Sequence, residues 1–268
     1  MNLYSAAAGM DRLERLALGT SPIHRLHPRA KLLITGVYVV TVISFPSQNV
    51  SGLIPFLLYP AILMSLSGTP YRPLLGRLLT ALPFALMGGV SNLFFIPETA
   101  FYLGAFRVSI GMVSLASILL KTLLTVFGVL LLIATTSFTD ISRQLSLLGM
   151  PKILNLQLVM TYRYIAVLLG EARRMVTAYS LRAPLHQGIA MKDMGSFLGQ
   201  LILRSFDRSE RVYHAMQCRG FDGVYRGTGP QGFRPADYGY TLGLGITMGA
   251  FRFFNFSVFL GRLMWDAL

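Results

Sequence analysis

Two stretches of the sequence carry arginines at the same helical spacing. RMVTAYSLRA (174–183) and RVYHAMQCRG (211–220) begin 37 positions apart, and both read arginine, an apolar residue, two others, alanine, three others, arginine and a small residue. Residues at i, i+4 and i+8 lie close to one stripe of a helix. On this spacing the two stripes consist of Arg174, Ala178 and Arg182 and of Arg211, Ala215 and Arg219.

These stripes are suited to recognising a carboxylate on another surface. A guanidinium is a forked donor that pairs with carboxylates, and the central alanine lets that surface approach closely. Each stripe stops at a helix-ending residue, Pro184 after the first and Gly220 within the second stretch. The pattern predicts two helix tips that dock to a partner. An arginine before a terminal glycine is also an ordinary helix cap, and that alternative stays open.

The segment that carries the tips is basic, with ten basic and five acidic residues in 171–234. Pro151 and Pro184 bound a predicted helix of 32 residues, which is about 48 Å long. A second helix is predicted from Met194 to Cys218. Its apolar side consists of Phe197, Leu198, Leu201, Ile202, Val212 and Met216. Both helices are expected to lie along or beneath a membrane surface.

The composition is that of a polytopic membrane protein. The 268 residues are 53% hydrophobic and 13% charged, with a mean hydropathy of +0.57, whereas soluble domains are about 25% charged. Residues 32–71 contain no charge, which is enough for two spans around a turn at 46–52. Further spans are predicted within 78–97, 108–139 and 238–263. The predicted fold class is all-α, with about five transmembrane helices and two long cytoplasmic helices.

The distribution of basic residues predicts a cytoplasmic N-terminus. The loop between the first two spans has no basic residue, whereas the N-terminal arm contains Arg12, Arg15, Arg25, Arg29 and Lys31. Anionic lipid explains the net charge of +13 better than nucleic acid does. Lys121 interrupts the fourth span and is either a functional cation or a side chain that reaches an interface or a neighbouring helix. We favour the second interpretation. Glu98 and Arg107 are expected to bracket a short loop.

Residues for other chemistry do not form a recognisable pattern. The chain has one cysteine, Cys218, and its four histidines, His24, His27, His186 and His214, are scattered. No C-x-x-C, H-E-x-x-H or Walker A spacing occurs. We therefore predict no catalytic residue and no metal site. A membrane enzyme would need a nucleophile and a base in the bilayer, and a stand-alone carrier or channel would give flux without a partner. Both stay as alternatives.

The sequence resembles the transmembrane coupling components (T components) of energy-coupling factor transporters, and within them the CbiQ-type permease of cobalt importers. The resemblance covers nearly the whole chain. It is carried by SPIHRLHPRAKLL (21–33), TTSFTDISRQLSLLGMP (135–151), TYRYIAVLLGEARRM (161–175) and RSFDRSERVYHAMQCRGFDG (204–223).

The resemblance implies docking of two Ala-Arg-Gly signatures into grooves of two ATP-binding cassette subunits. By the resemblance, the first signature corresponds to Leu181, Arg182 and Ala183 of this sequence. The second, in the second helix, corresponds to Cys218, Arg219 and Gly220. Both arginines are kept, whereas the first signature lacks its alanine and its glycine and the second lacks its alanine. The implied subunit is non-catalytic and binds no cofactor, because ATP and magnesium belong to its partners.

The implied function is to pass the motion of the ATPases to a substrate-capturing membrane subunit. That subunit would be CbiM-like, with or without a CbiN-like one, in the cell (inner) membrane of a bacterium or archaeon. Cobalt is the implied cargo, and nickel or vitamins are the alternative. The predicted segments are an N-terminal arm with four transmembrane helices (1–139), a cytoplasmic or interfacial coupling-helix region (140–235) and a C-terminal transmembrane segment (236–268).

Overall fold

The computed structural model of the protein describes Glu14 and residues 16–47, 49–95, 99–103, 106–182, 188–223 and 232–253. The described helices are α1 (Pro28–Ile43), α2 (Leu58–Ser67), α3 (Tyr71–Phe95), α4 (Ile110–Thr135), α5 (Phe138–Leu147), α6 (Lys152–Arg182), α7 (Met194–Cys218) and α8 (Pro235–Phe253). Short 3₁₀ helices precede α2 (Ser51–Leu57) and α7 (Met191–Asp193). The predicted fold class, an all-α polytopic membrane protein, is confirmed.

Within the described ranges, three helical segments are long and apolar enough to cross a membrane. They are Pro73–Leu93 in α3, Ile110–Thr135, which is α4, and Lys152–Arg182, which is α6. Ser51–Ser67 is a shorter apolar helix. The length and composition of α6 therefore suit a crossing helix as well as an interfacial one, and its interfacial location stays a prediction.

The chain divides into two compact units. The membrane unit comprises Leu16–Ser137 and Pro230–Leu268, and the paired-helix unit comprises Met1–Arg15 and Phe138–Gly229. The membrane unit contains α1 to α4 and α8, and the paired-helix unit contains α5, α6 and α7.

The core of the membrane unit is built around Tyr38 of α1, which is fully buried. Its ring stacks on that of Tyr59 at a centroid distance of 4.3 Å, and its hydroxyl donates to the carbonyl oxygen of Phe56 at 3.2 Å. Gly128 of α4 makes this packing possible, because a Cβ at this position would lie 2.9 Å from Cε1 of Tyr38. The missing side chain thus lets α4 approach the aromatic stack of α1 and α2.

Polar contacts fix the start of α1 to α4 and α8. Nζ of Lys31, buried with 3% exposure, donates to the carbonyl oxygen of Thr135 at 2.6 Å and so caps the C-terminus of α4. Asp237 of α8, also buried, accepts hydrogen bonds of 2.7 Å from the backbone N–H groups of His27 and Arg234. Lys31, one of the basic residues of the predicted N-terminal arm, is a buried contact between α1 and α4.

The connection between α3 and α4 contains two short strands, where the sequence analysis expected only a loop. Strands β1 (Thr99–Leu103) and β2 (Phe106–Ser109) pair antiparallel, with Thr99 opposite Ser109 and Leu103 opposite Phe106. The alternation of apolar and polar residues in this stretch is too short to stand out from the apolar helices beside it. Glu98 lies outside the described residues.

Candidate functional site

The two long helices of the paired-helix unit follow the predicted bounds. The helix predicted between Pro151 and Pro184 runs from Lys152 to Arg182, and α7 runs from Met194 to Cys218 as predicted. The turn before α6 is sharp because Gly149 has a positive φ of 110°. The N–H of Met150 donates to the carbonyl oxygen of Leu145 at 3.2 Å, which closes the C-terminus of α5 in a Schellman motif.

The first half of α6 is held by α5. Oγ of Ser142 donates to Oδ1 of Asn155 at 2.6 Å, and both residues are buried. The rings of Phe138 and Tyr162 stack at 4.3 Å between centroids. The polar pair and the stacked rings fix the start of α6 against a second helix of the same unit.

The second half of α6 is joined to α7 by Glu171. Oε2 of Glu171 accepts a 2.6 Å hydrogen bond from Nη2 of Arg174, and Oε1 accepts one of 2.5 Å from Nη1 of Arg204. The side chain of Glu171 is 17% exposed, compared with 70% for Arg174 and 55% for Arg204. One largely enclosed carboxylate therefore holds an arginine from each helix.

Tyr179 ties the connection between α6 and α7 to α6. Its hydroxyl donates to Oδ2 of Asp193 at 2.7 Å and accepts from the N–H of Ala190 at 3.4 Å. Asp193 stands immediately before α7, where a carboxylate is also favoured by the helix dipole. Tyr179 thus fixes the start of α7 close to the last turn of α6.

Both predicted stripes lie on the surface of the paired-helix unit. The exposed members are Arg174, Ala178, Arg182, Arg211, Ala215 and Arg219. Ala178 and Ala215 are exposed between the two arginines of each stripe. Arg174 differs from the two terminal arginines, because its guanidinium is already bonded to Glu171.

The second tip has the geometry of a glycine cap. Gly220 has a φ of 74°, its N–H donates to the carbonyl oxygen of Gln217 at 2.9 Å, and the N–H of Phe221 donates to that of Met216 at 3.1 Å. This is a Schellman motif, so the cap interpretation of the sequence accounts for Gly220. It does not account for the side chain of Arg219, which the cap leaves exposed.

The two terminal arginines are available for an external contact. Arg182 is the last residue of α6, and Arg219 follows the last residue of α7. Neither guanidinium forms a hydrogen bond or an ion pair with any residue that the structure describes. Their neighbours Leu181, with 78% exposure, and Cys218 are also exposed. Ala183, the last residue of the first predicted signature, lies outside the described residues.

An apolar groove of about 550 Å³ lies between α6 and α7. Its walls include Leu156, Met160, Tyr164 and Leu168 from α6 and Phe206, Val212, Tyr213 and Met216 from α7, with Phe221 after it. No residue of α7 is buried, so the predicted apolar side of this helix is only partly covered. Exposed apolar surface of this kind is typical of a contact with a partner or a membrane.

Sequence reasoning missed the residues that hold the helices together. Glu171 and Arg204 stand 33 positions apart, and Tyr179 reaches Asp193 across the turn between the helices. The only local signal was the i, i+3 spacing of Glu171 and Arg174. Among the described residues, no group of three or more His, Cys, Asp or Glu side chains is placed to hold a metal ion.

Comparison with known proteins decides the family. Residues 19–230 match the family CbiQ, described as cobalt transport protein. The chain belongs to this family. It is also similar to proteins named energy-coupling factor transporter transmembrane protein EcfT, so its predicted relation to the T components is confirmed.

Three such relatives come from two genera of bacteria. The protein of Streptococcus equi subsp. equi is 26% identical, covering 80% of this chain and 85% of the relative. That of Leuconostoc gelidum subsp. gasicomitatum is 25% identical, with coverages of 79% and 84%. That of Streptococcus thermophilus is 26% identical, with coverages of 80% and 87%. This CbiQ-family chain is therefore an integral membrane protein of a transport system.

Proposed function

We propose that this CbiQ-family chain couples two ATP-binding cassette subunits to a substrate-capturing membrane subunit of a cobalt importer. The observation that carries the proposal is the exposure of Arg182 and Arg219 at the ends of two long helices. Neither guanidinium has a partner within the described part of the chain. A guanidinium at such a position suits a carboxylate in a groove of an ATP-binding subunit.

The contacts of Glu171 give these tips a mechanical role. A tip that is pulled by a partner transmits the displacement only if its helix is joined to the next one. Arg204 of α7 is bonded to Glu171 of α6, and Asp193 before α7 is bonded to Tyr179 of α6. A displacement of either tip is therefore shared by both helices. Coupling further requires that the ATPases bind the tips differently in their two states.

The apolar surface of α7 supports a location at the membrane. Leu198, Ile202, Leu203 and Phe206 are all exposed, between 47% and 65%. An amphipathic helix with such a side lies in the plane of a membrane surface or against a membrane partner. We infer that α6 and α7 lie at the cytoplasmic face of a bacterial or archaeal cell membrane, with the N-terminus on the same side.

Cobalt as the cargo is supported by the description of the family. The alternative is a T component that serves nickel or several vitamins. The names of the relatives favour this alternative, because they refer to an energy-coupling factor transporter and mention no metal.

Uptake by the reconstituted complex tests this function. The chain, the two ATP-binding subunits and the substrate-capturing subunit would be placed in liposomes, and uptake of radiolabelled cobalt, nickel and vitamins would be measured with and without ATP. We expect ATP-dependent cobalt uptake that needs every subunit. Flux through the chain alone would identify a carrier or channel, and a reaction catalysed by the chain alone would identify an enzyme. Uptake of nickel or a vitamin in place of cobalt would identify the alternative T component.

A further inference from the structure

Two cations of the membrane unit contact the residues that follow α1. Nζ of Lys121, on α4, donates a 2.5 Å hydrogen bond to the carbonyl oxygen of Phe45. The guanidinium carbon of Arg252, on α8, lies 4.7 Å from the centroid of the Phe45 ring, and its Nη2 lies 3.4 Å from Oγ of Ser44. We name Lys121 and Arg252 the cation pair.

Lys121 lies near the middle of α4, which is long and apolar enough to cross a membrane. Lys121 is the twelfth of the 26 residues of α4, so about 16 Å of helix precedes it and about 21 Å follows it. The hydrocarbon core of a bilayer is about 30 Å thick. Because Lys121 is bonded to Phe45, a crossing α4 would place the irregular backbone after Ile43 within the hydrocarbon core, where such backbone occurs only beside protein or polar cavities.

The described residues do not balance the charge at this depth. The C-terminus of α1 supplies roughly half a negative charge against two full positive charges. Among the described residues of the membrane unit, Asp237 has the single carboxylate. Its oxygens are bonded to the N–H groups of His27 and Arg234, near the other end of α1. Because an unpaired charge inside a bilayer is costly, an additional anion is expected at the cation pair.

The surface around Arg252 is open to such an anion. Arg252 is exposed, its neighbour Phe253 is 88% exposed, and Lys121 is half-buried. A membrane-embedded helix can therefore place an apolar side chain beside Phe253 and an acidic one beside Arg252. Lipid phosphate lies at the bilayer surface, far from the level of Lys121, and is the less suitable anion.

We propose that Lys121 and Arg252 bind the carboxylate of an Asp or Glu on a membrane-embedded helix of the substrate-capturing subunit. This inference rests on the proposed function, which supplies that subunit. A carboxylate between a guanidinium and an ammonium accepts charge-assisted hydrogen bonds from both. The partner's acid would be as costly in lipid as the cation pair, so each side gains by the contact, and the contact fixes the orientation of the two proteins.

Capture of partners by the full complex tests the site. Wild type would be compared with a Lys121→Met, Arg252→Met double variant after co-expression with the ATP-binding and substrate-capturing subunits. A matched control, Arg25→Met with Arg29→Met, removes the same charge near the start of α1. We expect the double variant to capture about tenfold less of the substrate-capturing subunit than wild type does. It should capture as much of the ATP-binding subunits as wild type does.

The outcomes separate this inference from the function on which it rests. Unchanged capture of the substrate-capturing subunit would overturn the inference and leave the cations as caps of α1. An equal loss in the matched control would also overturn it, because the effect would then be one of total charge. If wild type captured neither kind of subunit, the proposed function itself would fail, and the inference with it.

A second experiment leaves the hydrogen bond of Lys121 to Phe45 intact. Arg252→Met alone changes an exposed residue and is expected to reduce the capture in the same direction. A photo-crosslinking amino acid in place of Phe253 should label a membrane segment of the substrate-capturing subunit that contains Asp or Glu. Labelling of lipid alone, or of residues 254–268 of the same chain, would contradict the proposal.

Discussion

Oε1 of Glu171 in α6 accepts a 2.5 Å hydrogen bond from Nη1 of Arg204 in α7, while Oε2 of the same carboxylate holds Arg174. The carboxylate is thus shared between an arginine of its own helix and an arginine of the other. On α6 the contact lies between the residues that line the groove and the tip at Arg182. It gives the paired-helix unit a specific point at which movement of one helix reaches the other.

Removing this bridge should weaken coupling more than it lowers the amount of folded protein. In Glu171→Gln, the neutral amide loses the charge-assisted bonds to Arg174 and Arg204, while α5 still packs on α6. We expect normal abundance, normal capture of the ATP-binding subunits and fewer substrate molecules imported per ATP hydrolysed. An Asp207→Asn control removes one exposed carboxylate from α7 and should leave that ratio unchanged. An unaltered ratio in Glu171→Gln would contradict the mechanical role.

The glycine cap of α7 should matter because it sets the direction of Arg219. In Gly220→Ala, a residue with a Cβ must adopt the φ of 74°, which costs about 1–2 kcal/mol. We expect weaker capture of the ATP-binding subunits, and a smaller loss for Gly220→Asn because asparagine tolerates this conformation.

The control for this cap is Gly199→Ala in the interior of α7. An added Cβ at Gly199 meets no heavy atom within 4 Å, so the change should raise helix stability by about 0.5–1 kcal/mol. Equal capture by Gly220→Ala, Gly199→Ala and wild type would mean that the cap does not position Arg219.

The close approach of α4 to α1 predicts a penalty for Gly128→Ala. The new Cβ would lie 2.9 Å from Cε1 of Tyr38, which is fully buried. We expect a loss of about 1–3 kcal/mol in stability, as for other overpacked cores, measured by unfolding of the detergent-solubilised protein. Gly36→Ala in α1 is the matched control, because an added Cβ there meets nothing within 4 Å. Equal stability of the two variants would contradict this packing.

Asp237 should be essential to the junction of α1 and α8. Its carboxylate accepts hydrogen bonds from the N–H groups of both His27 and Arg234, and the amide of Asp237→Asn has only one oxygen to offer. One buried N–H is left without an acceptor, which costs about 1–3 kcal/mol. The exposed carboxylate of Asp207 serves as the control, because Asp207→Asn should change stability by no more than about 0.5 kcal/mol. A fully stable Asp237→Asn protein would show that the junction does not need the second acceptor.

The two long helices could be predicted from the sequence because their limits are local. Pro151 sets the start of α6, Pro184 stands just beyond its last described residue, and Gly220 ends α7 through a cap that involves only its own last turn. The exposure of Arg182 and Arg219 followed from the same spacing. Signals of this kind need no knowledge of the tertiary structure.

The contacts that hold the helices in place could not be predicted in this way. Asp237 and His27 are 210 positions apart, and Lys31 and Thr135 are 104 apart. Lys31 shows the consequence most clearly. The absence of charge suggested that the first span starts at residue 32, whereas α1 starts at Pro28 and buries the lysine, because the ammonium finds a carbonyl oxygen at the end of α4.

The most direct test of the central claim is capture of the ATP-binding subunits by an Arg182→Glu, Arg219→Glu double variant. Co-expressed complexes would be purified from membranes through an affinity tag on the CbiQ-family chain, at equal abundance of wild type and variant. The control is Arg163→Glu, which reverses an exposed charge in the middle of α6, 19 residues before Arg182. We predict that wild type and control capture the ATP-binding subunits and that the double variant does not. Undiminished capture and ATP-driven uptake by the double variant would contradict the account and leave both arginines as parts of helix ends.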